Sequence, residues 1–113
     1  MELEKSLVSG SMSLLVLKLL EDGDLYGYQM IEELRRRSDD TFRLRAGTLY
    51  PLLHGLEEKG CVTAYERTAD SGKARRYYHL TERGRDVLRE KEDAWDAYAR
   101  AVGRVLKGGA CLA

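Results

Sequence analysis

One twenty-residue segment, residues 61–80, interrupts a chain whose apolar residues otherwise recur at helical spacing, and this change of period limits the fold more than any other feature. Cys61 to Arg67 and Arg75 to Leu80 are rich in β-branched and aromatic residues. They flank Asp70-Ser71-Gly72, a strong turn signal, so together they predict a β-hairpin. Three helical stretches precede the hairpin and one follows it. The expected class is mainly α with a β-hairpin.

In the first stretch, residues 6–21, Leu7, Val8, Met12, Leu15, Val16, Leu19 and Leu20 share one helical face, and Leu14 and Leu17 add a second. Apolarity on two sides predicts that this helix touches its own domain and also something else. Asp22-Gly23-Asp24 ends it. The second helix is expected from Leu25 to Ser38, with Tyr28, Ile31 and Leu34 on its inner face and Arg35, Arg36 and Arg37 near its C-terminus, where they suit the helix dipole. The third runs from Ala46 to Lys59 with Leu49, Leu52, Leu53 and Leu56 inward. Gly60 ends it, and Pro51 is placed in an early turn.

Thr81 is a good N-cap for a last helix from Glu82 to Lys107, closed by Gly108-Gly109. There Val87, Lys91, Ala94, Tyr98, Ala101 and Val105 alternate spacings of four and three, while Leu88, Trp95 and Val102 repeat every seventh position beside them. Too little domain remains to bury so long a stripe, so pairing with a second copy of the chain is expected. The organisation is therefore a domain at 6–80, a dimerisation helix at 81–107 and a flexible tail at 108–113.

Nineteen basic residues balance nineteen acidic ones, and overall charge is uninformative. Their placement is not. Residues 41–54 hold Arg43 and Arg45 and no acid, and residues 67–76 hold Arg67, Lys73, Arg75 and Arg76 against Asp70 alone. A neutral chain can thus present a basic face to phosphates. Cys61 and Cys111 suit neither a disulfide framework nor a zinc site, and reduced thiols are expected. His54 and His79 are the only histidines, with no nucleophile motif or phosphate-cradling glycine loop, which argues against an enzyme, a metal site or a cofactor. The longest apolar run, Leu14 to Leu17, is far too short to span a bilayer, and a cytoplasmic protein is expected.

Three short helices followed by a hairpin is the order of a winged helix-turn-helix, in which the third helix enters the major groove and the wing reaches the flanking backbone. On that plan Arg45, Thr48, Tyr50 and His54 face double-stranded DNA from the third helix, and Lys73, Arg75 and Arg76 contact phosphates from the wing. Tyr77 and Tyr78 must point to opposite faces, one into the core and one only flanking the DNA. A winged-helix module that binds protein and not DNA is the alternative, and a redox sensor at Cys61 a weaker one.

Leu25-Tyr26-Gly27-Tyr28, Gly47-Thr48-Leu49-Tyr50-Pro51-Leu52-Leu53, Leu56-Glu57-Glu58-Lys59-Gly60 and residues 72–84 (GKARRYYHLTERG), in this order and spacing, resemble the PadR family of regulators, in particular its short subfamily with a single C-terminal helix. The resemblance implies a homodimer that binds a pseudo-palindromic promoter site, commonly as a repressor relieved by a small molecule. In a lactococcal multidrug-responsive member of the family, a tryptophan at the place of Trp95 stacks on flat aromatic drugs between two subunits. Carried over, that implies a pocket for a small aromatic or cationic effector lined by Trp95, Lys91 and Ala99, with Leu7, Gly10 and Leu14 from the first helix. Lys91 and Glu92 are more polar than their counterparts there.

Overall fold

The computed structural model describes the backbone of residues 5–108 and the side chains of residues 11–108. Leu7 and Gly10 are described as backbone only, and Cys111 and the tail past Gly108 lie outside the described residues. The elements are α1 (Lys5–Leu19), β1 (Leu25–Tyr26), α2 (Gly27–Arg37), α3 (Ala46–Glu58), β2 (Val62–Thr68), β3 (Ala74–Leu80) and α4 (Glu82–Leu106). This is a winged helix-turn-helix, mainly α, with a small antiparallel sheet. No helix among the described residues is long and apolar enough to cross a membrane.

The sheet has three strands in the order β1-β3-β2, one more than the sequence suggests. Leu25 and Tyr26 were expected to begin the second helix, but they pair with Tyr78 and Tyr77 and the helix starts at Gly27. Once Tyr26 is extended, its N–H is free to donate to the Gln29 side chain at 3.1 Å, which closes the first turn of α2. Pro51 also departs from expectation. It is the sixth residue of α3 and not an early-turn one, and it lies on the exposed side of the helix.

Val16 and Leu17 from α1 and Leu20 from the turn after it meet Met30 and Leu34 from α2, Leu49, Leu53 and Leu56 from α3, and Val62, Tyr78 and Leu80 from the sheet in one core. Each fully buried Leu contributes on the order of 1.5–3 kcal/mol of transfer free energy, so this cluster holds the three helices against the wing. Leu17 is entirely buried here, so the second apolar face of α1 is narrower than its sequence suggests. Leu88 is corrected in the same way. Expected on the dimer stripe, it is 1% exposed and belongs to the core of its own chain, with Val87 packed beside it.

The Thr81 hydroxyl accepts from the Gly84 N–H at 2.9 Å and caps α4 as expected. It also donates toward the carbonyls of Gly60 and Cys61, at 2.6 and 3.0 Å. Cys61 is buried at this junction. Lys18 Nζ lies 3.2 Å from Glu92, and Arg85 reaches the Glu21 carbonyl at 3.5 Å, so α1 and α4 run antiparallel. The start of α4 is thereby fixed to the domain while its remainder projects.

Candidate nucleic-acid interface

With Leu49, Leu53 and Leu56 turned inward, α3 exposes Thr48, Tyr50, Pro51 and His54, and Arg45 stands exposed at its N-cap. No side chain caps this end and no acid lies in its first turn, which leaves the positive end of the helix open to an anion. His54 Nε2 is 3.6 Å from Glu58 on the same helix. Arg43 is taken up by a salt bridge with Asp40.

Tyr50 leans on α2. Its hydroxyl lies against the backbone of Gly27, where an added Cβ would sit 2.3 Å from it, yet the side chain remains 46% exposed. Tyr28, the next residue, is 62% exposed, which corrects its placement on the inner face of α2. Met30 takes the buried position instead. Leu34 is buried and Ile31 packs against the core as expected, so of the three residues assigned to that face only Tyr28 is misplaced.

In the wing, register separates residues that the sequence groups together. Ala64, Tyr78 and Leu80 face the core, and so does the side of β3 that carries Arg76, whose guanidinium is 3.6 Å from Glu57 of α3. Arg75 is on the opposite face, over the Tyr26 ring at 5.1 Å. Lys73, Arg75 and Arg76 are therefore not one cluster. The expectation that only one of Tyr77 and Tyr78 is buried is also corrected, since each is 4% exposed. Tyr77 is covered on the outer face by Tyr26 edge-on at 5.3 Å, Tyr65 stacked at 5.8 Å and Arg67 at 4.2 Å. This pile stiffens the wing.

Arg67 and Arg75 are direct cross-strand partners on that face, a like-charge pair that costs stability unless something compensates. The tyrosine rings hold them in place. Among the described residues no carboxylate lies within salt-bridge distance of Arg45, Arg67, Lys73 or Arg75. In contrast, Arg35, Arg36 and Arg37 of α2 are bound to Glu32, Glu33, Asp22 and Asp40. Cations left without acids on α3 and the wing are available to phosphates. The sequence counts Arg67 among the bases of the wing but not among its phosphate contacts, and its pairing with Arg75 is visible only once the register is known.

At the base of the same face, Asp24 accepts from the Tyr65 hydroxyl at 2.5 Å and from His79 Nδ1 at 2.8 Å. Burial pushes the Asp24 carboxyl up, but the hydrogen bonds from Tyr65 and His79 together outweigh it and hold the group below its ordinary value. The cluster ties the turn after α1 to both long strands.

Beyond its second turn α4 leaves the core. Lys91, Ala94, Trp95, Tyr98, Ala99, Ala101 and Val105 are exposed and Val102 is half-buried. Trp95 and Tyr98 are 53% and 63% exposed, with ring centroids 6.3 Å apart. Leu14 lies one turn before Lys18 on α1, and Trp95 about one turn after Glu92, the residue that Lys18 reaches on α4.

The sequence model of the Transcriptional regulator PadR-like family matches residues 16–90, from the last turn of α1 to the first turns of α4. Over 81 residues the chain is 40% identical to the transcriptional regulator Rv3488 of Mycobacterium tuberculosis, covering 72% of each protein. A solved PadR family transcriptional regulator from Eggerthella lenta is 35% identical, with TM-score 0.78 over 89% of this chain and 86% of that one. A transcriptional regulator from Clostridium thermocellum superposes with TM-score 0.81 at 26% identity, covering 88% and 97%.

Proposed function

The chain belongs to the PadR-like family of transcriptional regulators, not to a family of enzymes, and from that premise we propose that it is a homodimeric repressor of the cytoplasm that binds a pseudo-palindromic promoter site. In this reading residues 6–80 form the DNA-binding domain and 81–107 the dimerisation helix. Thr48, Tyr50, His54 and Arg45 engage the major groove and its phosphates, and Lys73 and Arg75 engage the flanking backbone. Arg76 joins them by giving up Glu57. The observation that carries the reading is the division of charge: the α2 arginines are neutralised by their own helix and loop, while Arg45, Lys73 and Arg75 are not.

The dimer forms through the exposed stripe of Ala94, Trp95, Tyr98, Ala101, Val102 and Val105. A projecting helix with two large aromatics in water is stabilised by burying them against a second copy. An effector of small aromatic or cationic type enters between the subunits at Trp95, Lys91, Ala99 and Leu14, with Leu7 and Gly10 from the same helix. Its arrival changes the spacing of the two α3 helices, which must sit about one DNA turn apart. DNA affinity then falls through geometric mismatch.

Selection of duplexes from a random-sequence library, followed by sedimentation of the complex, tests this reading. Two chains per duplex and inverted half-sites in the selected sequences are expected. One chain per duplex, or no enrichment in dilute buffer, contradicts it.

A further inference from the structure

Building on the DNA-binding reading above, we infer that Gly27 is a positioning residue of the interface, whose missing side chain leaves the seat for the Tyr50 hydroxyl. A Cβ at Gly27 would lie 2.3 Å from Tyr50 Oη, 2.8 Å from Cζ and 3.2 Å from Cε1. The seat and the methyl group exclude each other. Gly27 is the first residue of α2 and its φ is not in the left-handed region, so its backbone conformation does not call for glycine. Glycine is in addition a poor helix former. What the structure shows for a glycine at this position is room for the ring of Tyr50.

The seated group has a use. Among the described residues the Tyr50 hydroxyl makes no hydrogen bond, and the side chain is 46% exposed, one helical turn before His54 on the same side of α3. An O–H donor held in place with no partner among the described residues is suited to a phosphodiester oxygen. Because the contact is with the far end of a side chain that can rotate about its own bonds, a methyl group at position 27 moves the ring and leaves the fold in place. Gly27→Ala therefore separates binding from stability.

The test is a four-protein cycle on a duplex that the wild-type protein selects from a random-sequence library: wild type, Gly27→Ala, Tyr50→Ala and the double variant. Gly27→Ala is expected to weaken binding about tenfold, the scale of removing one hydrogen bond to a charged group. In the Tyr50→Ala background, where no ring remains to displace, the same change alters affinity less than about twofold. Equal losses in both backgrounds, or no loss in the first, overturn the assignment. Thermal melts guard against unfolding: a melt lowered by Gly27→Ala in the wild-type background alone still locates the collision at Tyr50, whereas a melt lowered equally in both shows that Gly27 serves the backbone and overturns it. A wild-type protein that retains no duplex defeats the DNA-binding reading itself, a failure visible before any variant is compared.

Discussion

The backbone of Gly84 in α4 lies so close to the carbonyl of Cys61 that a Cβ at position 84 would sit 2.1 Å from that oxygen and 2.6 Å from a methyl of Leu80. Unlike the Tyr50 hydroxyl against Gly27, the Cys61 carbonyl is backbone at the junction of α3 and the wing and cannot rotate away. The first turn of the long helix is pinned to the domain at this contact.

Gly84→Ala is therefore expected to lower the stability of the domain by about 2–4 kcal/mol, as overpacking against fixed backbone does. Urea unfolding of the variant and the wild type checks it. A change below about 0.5 kcal/mol would show that the junction yields more easily than its geometry implies.

The two arginines of the wing that are adjacent in sequence are expected to behave differently. Arg75→Ala, on the outer face with no acid beside it, makes the log–log salt dependence of DNA binding shallower by about 0.9 for each phosphate that Arg75 neutralises. Arg76→Ala changes it less, since Glu57 already holds that guanidinium. Glu57→Gln releases Arg76 and tightens binding in a low-salt gel shift.

Much of this fold is legible before any coordinates. Period-3.6 runs mark α1, α3 and α4, Thr81 marks a cap, and Ser71-Gly72 marks the wing turn, because in each case the information is local to a few residues. What is not legible depends on residues far apart in the chain. Leu25 and Tyr26 form a strand only because Tyr78 and Tyr77 lie beside them, and that pairing moves the start of α2. Leu88 fits a heptad as well as a core, and only the packing of α4 on the domain decides between them. The basic wing is readable as composition, but the separation of Arg75 from Arg76 and the pairing of Arg67 with Arg75 require the register.

Asp24 makes stability depend on acid. Its carboxyl is held below its ordinary value, so its contribution is fully present above the unfolded value of about 3.9 and is lost as pH falls through the lower folded value. Asp24→Ala, which removes the acceptor shared by Tyr65 and His79, is expected to cost about 1 kcal/mol at pH 7 and progressively less below about pH 4. Chemical denaturation at several pH values checks it; a cost that does not change with pH means that the charge of Asp24 is not what holds the cluster.

Tyr98→Glu places a charge on the exposed stripe of α4 far from the core. Sedimentation equilibrium is expected to show the dimer weakened more than tenfold, because two buried carboxylates would face an apolar seam. Melting of the separated chains should change little. A dimer that survives the substitution unchanged has its seam elsewhere.

Above all, cations left free on α3 and the wing are expected to grip the phosphates of a duplex. Duplex affinity measured against salt concentration tests this most directly. A straight fall of log K with log salt is predicted, shallower in Arg45→Ala and Arg75→Ala than in the wild type, with the Arg36→Ala slope unchanged because Glu33 already neutralises that residue. Affinity indifferent to salt, or a slope that drops equally for Arg36→Ala, would contradict it.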